Sequence, residues 1–295
     1  MQEKTMRVSG CLACLIVAAL PHAALAQDAP PPADPGALQS TTPDDVPPPR
    51  VPMRVQVAAG PQWQPWFPGD DQRRLSPWFS LSRTRGDTPF AFGAPDDGTN
   101  LTLLRRGRTE YAIALRREGR RRGNDLVPGL PGIGRTLELG GSIETWTGDQ
   151  VRWRGDVRKG VNGHNGWISQ LGMDYVRRDG DDWLVSLGPR VLLGDGRYQR
   201  AWFGVDDRAA AATGLQRYTP KAGLRSLALT GSASKEISRH WGVEANVTYE
   251  RLVGGAADSP IIRRVDSATQ LQVAIGMHYT FSVRLPDRGI FRLIR

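Results

Sequence analysis

Residue types that do chemistry in most enzymes are sparse in this chain. Past residue 26 there are three histidines, His164, His240 and His278. They fall in separate connections or strands, with no spacing that would gather a metal ion. A serine hydrolase needs Ser and His within hydrogen-bond reach and a third group to orient the base. Here Asp258 and Ser259 share one loop and His164 another, with no local signature joining them. Gly129-Leu130-Pro131-Gly132-Ile133-Gly134 has the glycine density of a phosphate cradle, but it lacks the Lys and Ser/Thr that would follow and precedes a strand. It reads as a flexible surface loop. No catalytic residue, metal or cofactor is expected.

The constellation with the clearest spacing is ionic. Arg152, Arg154, Asp156 and Arg158 share one face of a strand, and Glu138, Ser142 and Glu144 share the polar face of the strand before it. A three-residue turn at 147–149 places Glu144 opposite Arg152 and Glu138 opposite Arg158. A two-residue turn would set Glu144 against Trp153, on the wrong face. Opposite charges placed in this way neutralise a polar interior. The alternative use of the arginines is to line an anion-selective pore. His278, on the polar face of the last strand, reads as a hydrogen-bonding group of the same interior.

The elements that must position these charges are strands. Between 270 and 281, Leu271, Val273, Ile275, Met277, Tyr279 and Phe281 alternate with Gln270, Gln272, Ala274, Gly276, His278 and Thr280. This period of two ends in aromatics, as a membrane strand does at the interface. Further apolar faces are Trp241, Val243, Ala245, Val247 and Tyr249; Trp183, Val185, Leu187 and Val191; and Trp167, Leu171, Met173 and Tyr175. About twelve strands are predicted, near 53–60, 76–83, 88–94, 100–106, 109–118, 135–146, 150–160, 167–177, 182–193, 224–236, 239–252 and 270–281. Long connections at 119–134, 194–223 and 253–269 alternate with short ones near Gly148, Gly180 and Ser238. The fold class that follows is all-β, a transmembrane antiparallel β-barrel with long loops outside the cell and both termini periplasmic.

Charge and flanking segments set the address. Lys4 and Arg7, the apolar run from Cys11 to Leu20 and Ala24-Leu25-Ala26 read as a secretory signal over residues 1–26. Cys11 and Cys14 lie inside that run, so lipid modification is not expected. Cleavage removes Lys4 and Arg7 against Glu3 and takes the net charge from +9 to +8. Residues 27–52 are rich in proline and read as an extended periplasmic linker, followed by a barrel over 53–281 and a basic extension over 282–295. Nothing after the signal approaches the ~18 apolar residues of a membrane helix. The arginines are scattered over turns and polar faces of an exported chain, which excludes nucleic acid and favours outer-membrane lipid and lipopolysaccharide as partners.

One set of short motifs goes further. Leu187-Gly188-Pro189-Arg190, then Tyr198 with Phe203-Gly204-Val205, Gly214-Leu215, Tyr218, Gly223-Leu224, His240-Trp241 and Gly255-Ala256-Ala257-Asp258-Ser259-Pro260-Ile261 stand in an order and spacing that resembles the MipA/OmpV family of outer-membrane proteins. Glu138-Leu139-Gly140-Gly141 and Asp174-Tyr175 extend the resemblance upstream. It implies a barrel acting as a scaffold that brings a murein lytic transglycosylase together with a penicillin-binding synthase in peptidoglycan synthesis. A small-solute channel is the alternative. The stretch Ser282–Arg295, with Arg284, Arg288, Arg292 and Arg295, and the long Pro-rich arm depart from the family pattern. In the loop carrying Asp258, Ser259 and Pro260, short polar side chains capping turns predict a structural role.

Overall fold

A computed structural model describes residues 51–283. The predicted signal, the arm up to residue 50 and residues 284–295 lie outside the described residues. Among the described residues there are eleven strands: β1 (Met53–Pro65), β2 (Arg73–Arg85), β3 (Thr99–Arg106), β4 (Thr109–Glu118), β5 (Thr136–Thr147), β6 (Val151–Gly160), β7 (Trp167–Asp179), β8 (Trp183–Gly194), β9 (Gly223–Glu236), β10 (Trp241–Leu252) and β11 (Thr269–Val283). Four short helices interrupt the longest loops: α1 (Gly196–Phe203), α2 (Asp207–Thr213), α3 (Gly254–Ala257) and α4 (Pro260–Val265). Among the described residues no helix is long and apolar enough to cross a membrane.

All strands belong to one curled antiparallel sheet in the order β2-β1-β11-β10-β9-β8-β7-β6-β5-β4-β3. Period-two alternation explains why each is a strand, and burial shows which face is which. Val185, Leu187, Ile275 and Met277 point outward and are 50% to 60% exposed, while Arg152, Arg190 and His278 point inward and are 1% to 3% exposed. That is the reverse of a water-soluble sheet, where apolar side chains go inside. A surface this apolar belongs in hydrocarbon, and the strands, at 8 to 15 residues, suit a tilted crossing.

Connections at one end are tight: 107–108, 148–150, 180–182 and 237–240. The chain enters β1 and leaves β11 at this turn end, where Met53 pairs with Val283. At the opposite, loop end, 66–72, 119–135, 161–166, 195–222 and 253–268 gather with the helices into a crown.

Two expectations are corrected. The stretch 88–94 forms no ladder, so the strands among the described residues number eleven rather than about twelve. Pro89 and Pro95 lack N–H donors, and the acids that follow find arginine partners inside, which draws residues 86–98 into the interior. The turn between β5 and β6 has three residues but comprises 148–150, since Thr147 pairs with Val151. An odd loop keeps all charges on the inner face. The two-residue offset puts Glu144 opposite Arg154, and Arg158 opposite Gly140.

Candidate functional site

Inside the sheet the closest contacts of the predicted charges are diagonal, while the directly opposed pair Arg154 and Glu144 stands 3.8 Å apart. Arg152 Nη2 donates to Glu144 at 2.7 Å and Arg158 Nε to Glu138 at 2.9 Å. Arg158 also pairs with Asp156, and Arg154 Nε lies 3.8 Å from the same carboxylate. Arg154 further reaches Asn100 at 2.8 Å. Every one of the six charges singled out from the sequence, Glu138, Glu144, Arg152, Arg154, Asp156 and Arg158, faces this network. His164 joins it from the 161–166 loop, with Nε2 3.1 Å from Glu138. His278 forms a separate inner cluster from β11, 2.8 Å from Glu236 and 3.2 Å from Glu244.

Sequence reasoning missed the centre of the network. Arg152 Nη1 donates to Asp174 at 2.9 Å and its Nη2 reaches Asp97; Arg190 Nε donates to Asp96 at 2.8 Å and its Nη2 to Asp174 at 2.7 Å. Asp96 and Asp97 belong to the 86–98 segment, so a piece of the interior is filled by chain from between two strands. The signal present in the sequence was the acid pair Asp96-Asp97 in a stretch with no basic residue between Arg85 and Arg105.

Gly188-Pro189-Arg190 is explained by backbone chemistry. The β7–β8 ladder skips from Gly172–Arg190 to Tyr175–Leu187, because Pro189 has no N–H to give. Arg190 Nη1 supplies that donor, reaching the Met173 carbonyl at 2.9 Å. A Cβ at Gly188 would lie 1.8 Å from the same carbonyl oxygen, so only glycine permits this approach.

The remaining motif residues converge in the crown. Asp195 caps α1 by accepting from the Tyr198 N–H at 2.7 Å. The Tyr198 ring meets His164 edge-on at 4.8 Å, its hydroxyl accepts from Arg225 at 2.6 Å, and burial pushes its phenol well above the usual range. Phe203 is fully buried, Gly204 ends α1, and Val205 exchanges backbone hydrogen bonds with Tyr218, both at 2.9 Å. Ser259 donates to the Phe203 carbonyl at 2.7 Å and caps α4 by accepting from the Ile261 N–H at 3.2 Å. Pro260 opens α4, where its missing N–H costs nothing. Ala257 packs against the same core, whereas Asp258 is exposed and pairs with Arg263 at 2.7 Å. Ser259 and His164 therefore both pack near α1, each committed to a different partner.

Arg121 locks the crown by donating to the Trp202 carbonyl at 2.6 Å and to Ala201 and Pro131; burial lowers its guanidinium to about 10. The Gly129–Gly134 stretch is part of this lock, because Leu130 and Ile133 are buried and Ile133 bridges Arg121. Its reading as a flexible surface loop is thus corrected: the apolar residues between the glycines pack inward. Among the described residues no group of His, Cys, Asp and Glu is arranged to hold a metal ion.

The pattern of the MltA-interacting protein MipA family matches residues 57–281. No curated protein gives a significant match. Solved structures similar to the chain include the outer membrane protein OprG from Pseudomonas aeruginosa, at 12% identity and a TM-score of 0.24, covering 79% of this chain and 98% of that one. The COG4313 outer membrane channel from Pseudomonas putida F1 is 10% identical with a TM-score of 0.37, covering 85% and 100%. The CymD monoaromatic hydrocarbon channel is 11% identical with a TM-score of 0.33, covering 80% and 90%. Likenesses this low carry nothing about function.

Proposed function

Because the chain belongs to the MltA-interacting protein MipA family, we propose that this outer-membrane protein is a scaffold holding a murein lytic transglycosylase and a penicillin-binding synthase together at the inner face of the membrane. The observation that carries the reading is the filled interior. Segment 86–98 and its ion pairs obstruct the middle and the crown covers the loop end, an arrangement suited to a rigid adaptor. A scaffold needs no active site and no open path. In this reading residues 1–26 are removed on export, the crown faces outward among lipopolysaccharide, and the turn end faces the periplasm. β1 begins and β11 ends at that same turn end.

Crosslinked capture of the protein from its own envelope tests this, with a parallel deletion of residues 28–52 and 284–295, which leaves β11 whole. Recovery of a transglycosylase and a penicillin-binding protein, lost with the deletions, is expected. Recovery of the barrel alone would overturn the scaffold.

The arginines support a second reading, a small-solute channel preferring anions, since Arg152, Arg154, Arg158 and Arg190 line one wall of the interior. Arg152→Ser with Arg158→Ser shifts ion selectivity in planar bilayers if the protein is a channel, and leaves partner capture unchanged if it is a scaffold.

A further inference from the structure

The edge of β2 is unpaired. Its outward side chains Leu75, Phe79 and Leu81 are 73%, 74% and 73% exposed, against 37% to 60% for Ile275, Met277, Tyr279 and Phe281 on β11. The excess reflects a missing neighbour on one side. In hydrocarbon, backbone N–H and C=O groups along such an edge have no water to bind, and membrane sheets close for this reason. β3 carries the matching free edge.

Chain direction identifies what fits between them. Met53 pairs with Arg85, and Arg106 with Thr109 next to the 107–108 turn, so β2 and β3 both run from the loop end to the turn end. A strand that completes antiparallel ladders on both edges must run the other way. Residues 87–97 do, since they return the chain from the end of β2 to the start of β3.

The hairpin that would place them there has already begun. Thr88 N–H donates to the Arg85 carbonyl at 3.3 Å around Gly86, whose φ is +57°, and the Thr84 hydroxyl donates to the Thr88 carbonyl at 3.0 Å. Continuing that register sets Phe90 opposite Arg83, Phe92 opposite Leu81 and Ala94 opposite Phe79. These three then face lipid, while Ala91 and Gly93 face the interior. Eleven residues at ~3.4 Å each reach across the hydrocarbon.

We propose that residues 87–97 form a strand with two positions: the interior position described above, and a wall position in which they close the barrel between β2 and β3. Pro89 and Pro95 remove two donors from the wall ladder, which keeps it weaker than its neighbours. The interior position is held by Asp96 on Arg190, by Asp97 on Arg152, and by Phe90, whose N–H donates to Asp181 at 2.9 Å and whose carbonyl accepts from Arg178 at 2.7 Å. Movement to the wall withdraws both acids from Arg190 and Arg152 and unblocks the interior, so the wall state conducts ions.

A cysteine pair tests the exchange in the full chain, with Cys11 and Cys14 replaced by Ser. Ser80→Cys and Gly93→Cys stand in a non-hydrogen-bonded pair of the wall register, ~4.5 Å between Cα atoms and within disulfide reach. A Cβ at Gly93 meets nothing within 4 Å, so the interior position tolerates the change. Oxidation of outer-membrane vesicles is expected to give a partial disulfide, formed about fivefold faster when Asp96→Asn and Asp97→Asn are added. Bilayer conductance of the oxidised protein should rise and fall back on reduction. Absence of the disulfide in both backgrounds, while the folded barrel band persists on gels, overturns the proposal. So does complete oxidation that the two Asp substitutions leave unchanged, which would make the segment a fixed wall strand, or a conductance indifferent to oxidation.

Discussion

Trp202 and Arg152 are both buried to within 1% of complete burial, yet Trp202 stacks on Phe67 at 5.7 Å while Arg152 is held among Asp97, Glu144 and Asp174. The crown around Trp202 has the core of a soluble domain, built from Phe67, Ile133, Tyr198, Phe203, Leu252 and Ile262. The interior around Arg152 is held chiefly by ion pairs, with the Phe92 ring 5.3 Å from its guanidinium as an apolar neighbour. The difference follows from what each region would otherwise touch. Crown residues unfold into water, where burying apolar area is favourable. Strand residues already have lipid on their outer face, so apolar burial adds little there and the inner face is free to be polar. Polar groups enclosed in this way must then satisfy one another.

The comparison predicts failures of two kinds. Trp202→Ala should cost about 3–5 kcal/mol by opening a cavity. Limited proteolysis should then cut within 195–222 while the strands keep their heat-modifiable gel mobility; loss of the whole barrel would show that crown and wall fold as one unit. Arg152→Met should cost about 3 kcal/mol, because three carboxylates lose their common partner. This loss should appear in the thermal transition of the strands and leave crown proteolysis unchanged. Ser259→Ala removes a helix cap and a buried hydrogen bond, at about 1–2 kcal/mol, read from protection of 253–268 in hydrogen exchange. Asp258→Ala, one residue away but exposed, should change melting by less than about 0.5 kcal/mol, and a larger loss would assign Asp258 a structural role its geometry does not support.

Asp70 provides the smallest and most specific test. Burial raises its carboxyl above 3.8, against backbone hydrogen bonds from Gln72 and Trp66 that lower it. A raised folded value means that ionisation opposes folding: the cost is absent below the unfolded pKa and grows as pH climbs through the folded one. The 66–72 loop should therefore be better protected at pH 3.5 than at pH 7. Asp70→Asn should flatten that dependence.

Much of the wall was legible because a membrane strand writes both faces into one period. Ten of the predicted strands match at most of their length, and β4, at Thr109–Glu118, matches at both ends. The failure at 88–94 has a physical cause: alternation of Phe90, Phe92 and Ala94 specifies a strand-like face but not whether its edges find a partner. The ion pairs between β5 and β6 were legible as a set of residues, since parity fixes the face. Their register was not, because 147–149 and 148–150 satisfy parity equally.

By itself the sequence determined the class of the fold, through alternation, and which residues point inward, through charge. Only the tertiary structure decided that Asp96 and Asp97 meet Arg190 and Arg152, that Arg190 replaces the donor Pro189 lacks, and that Ser259 reaches the carbonyl of Phe203, 56 residues away. Period and charge are local properties carried by neighbours in the chain, whereas these contacts depend on how far the sheet curls and which loops fold over its end.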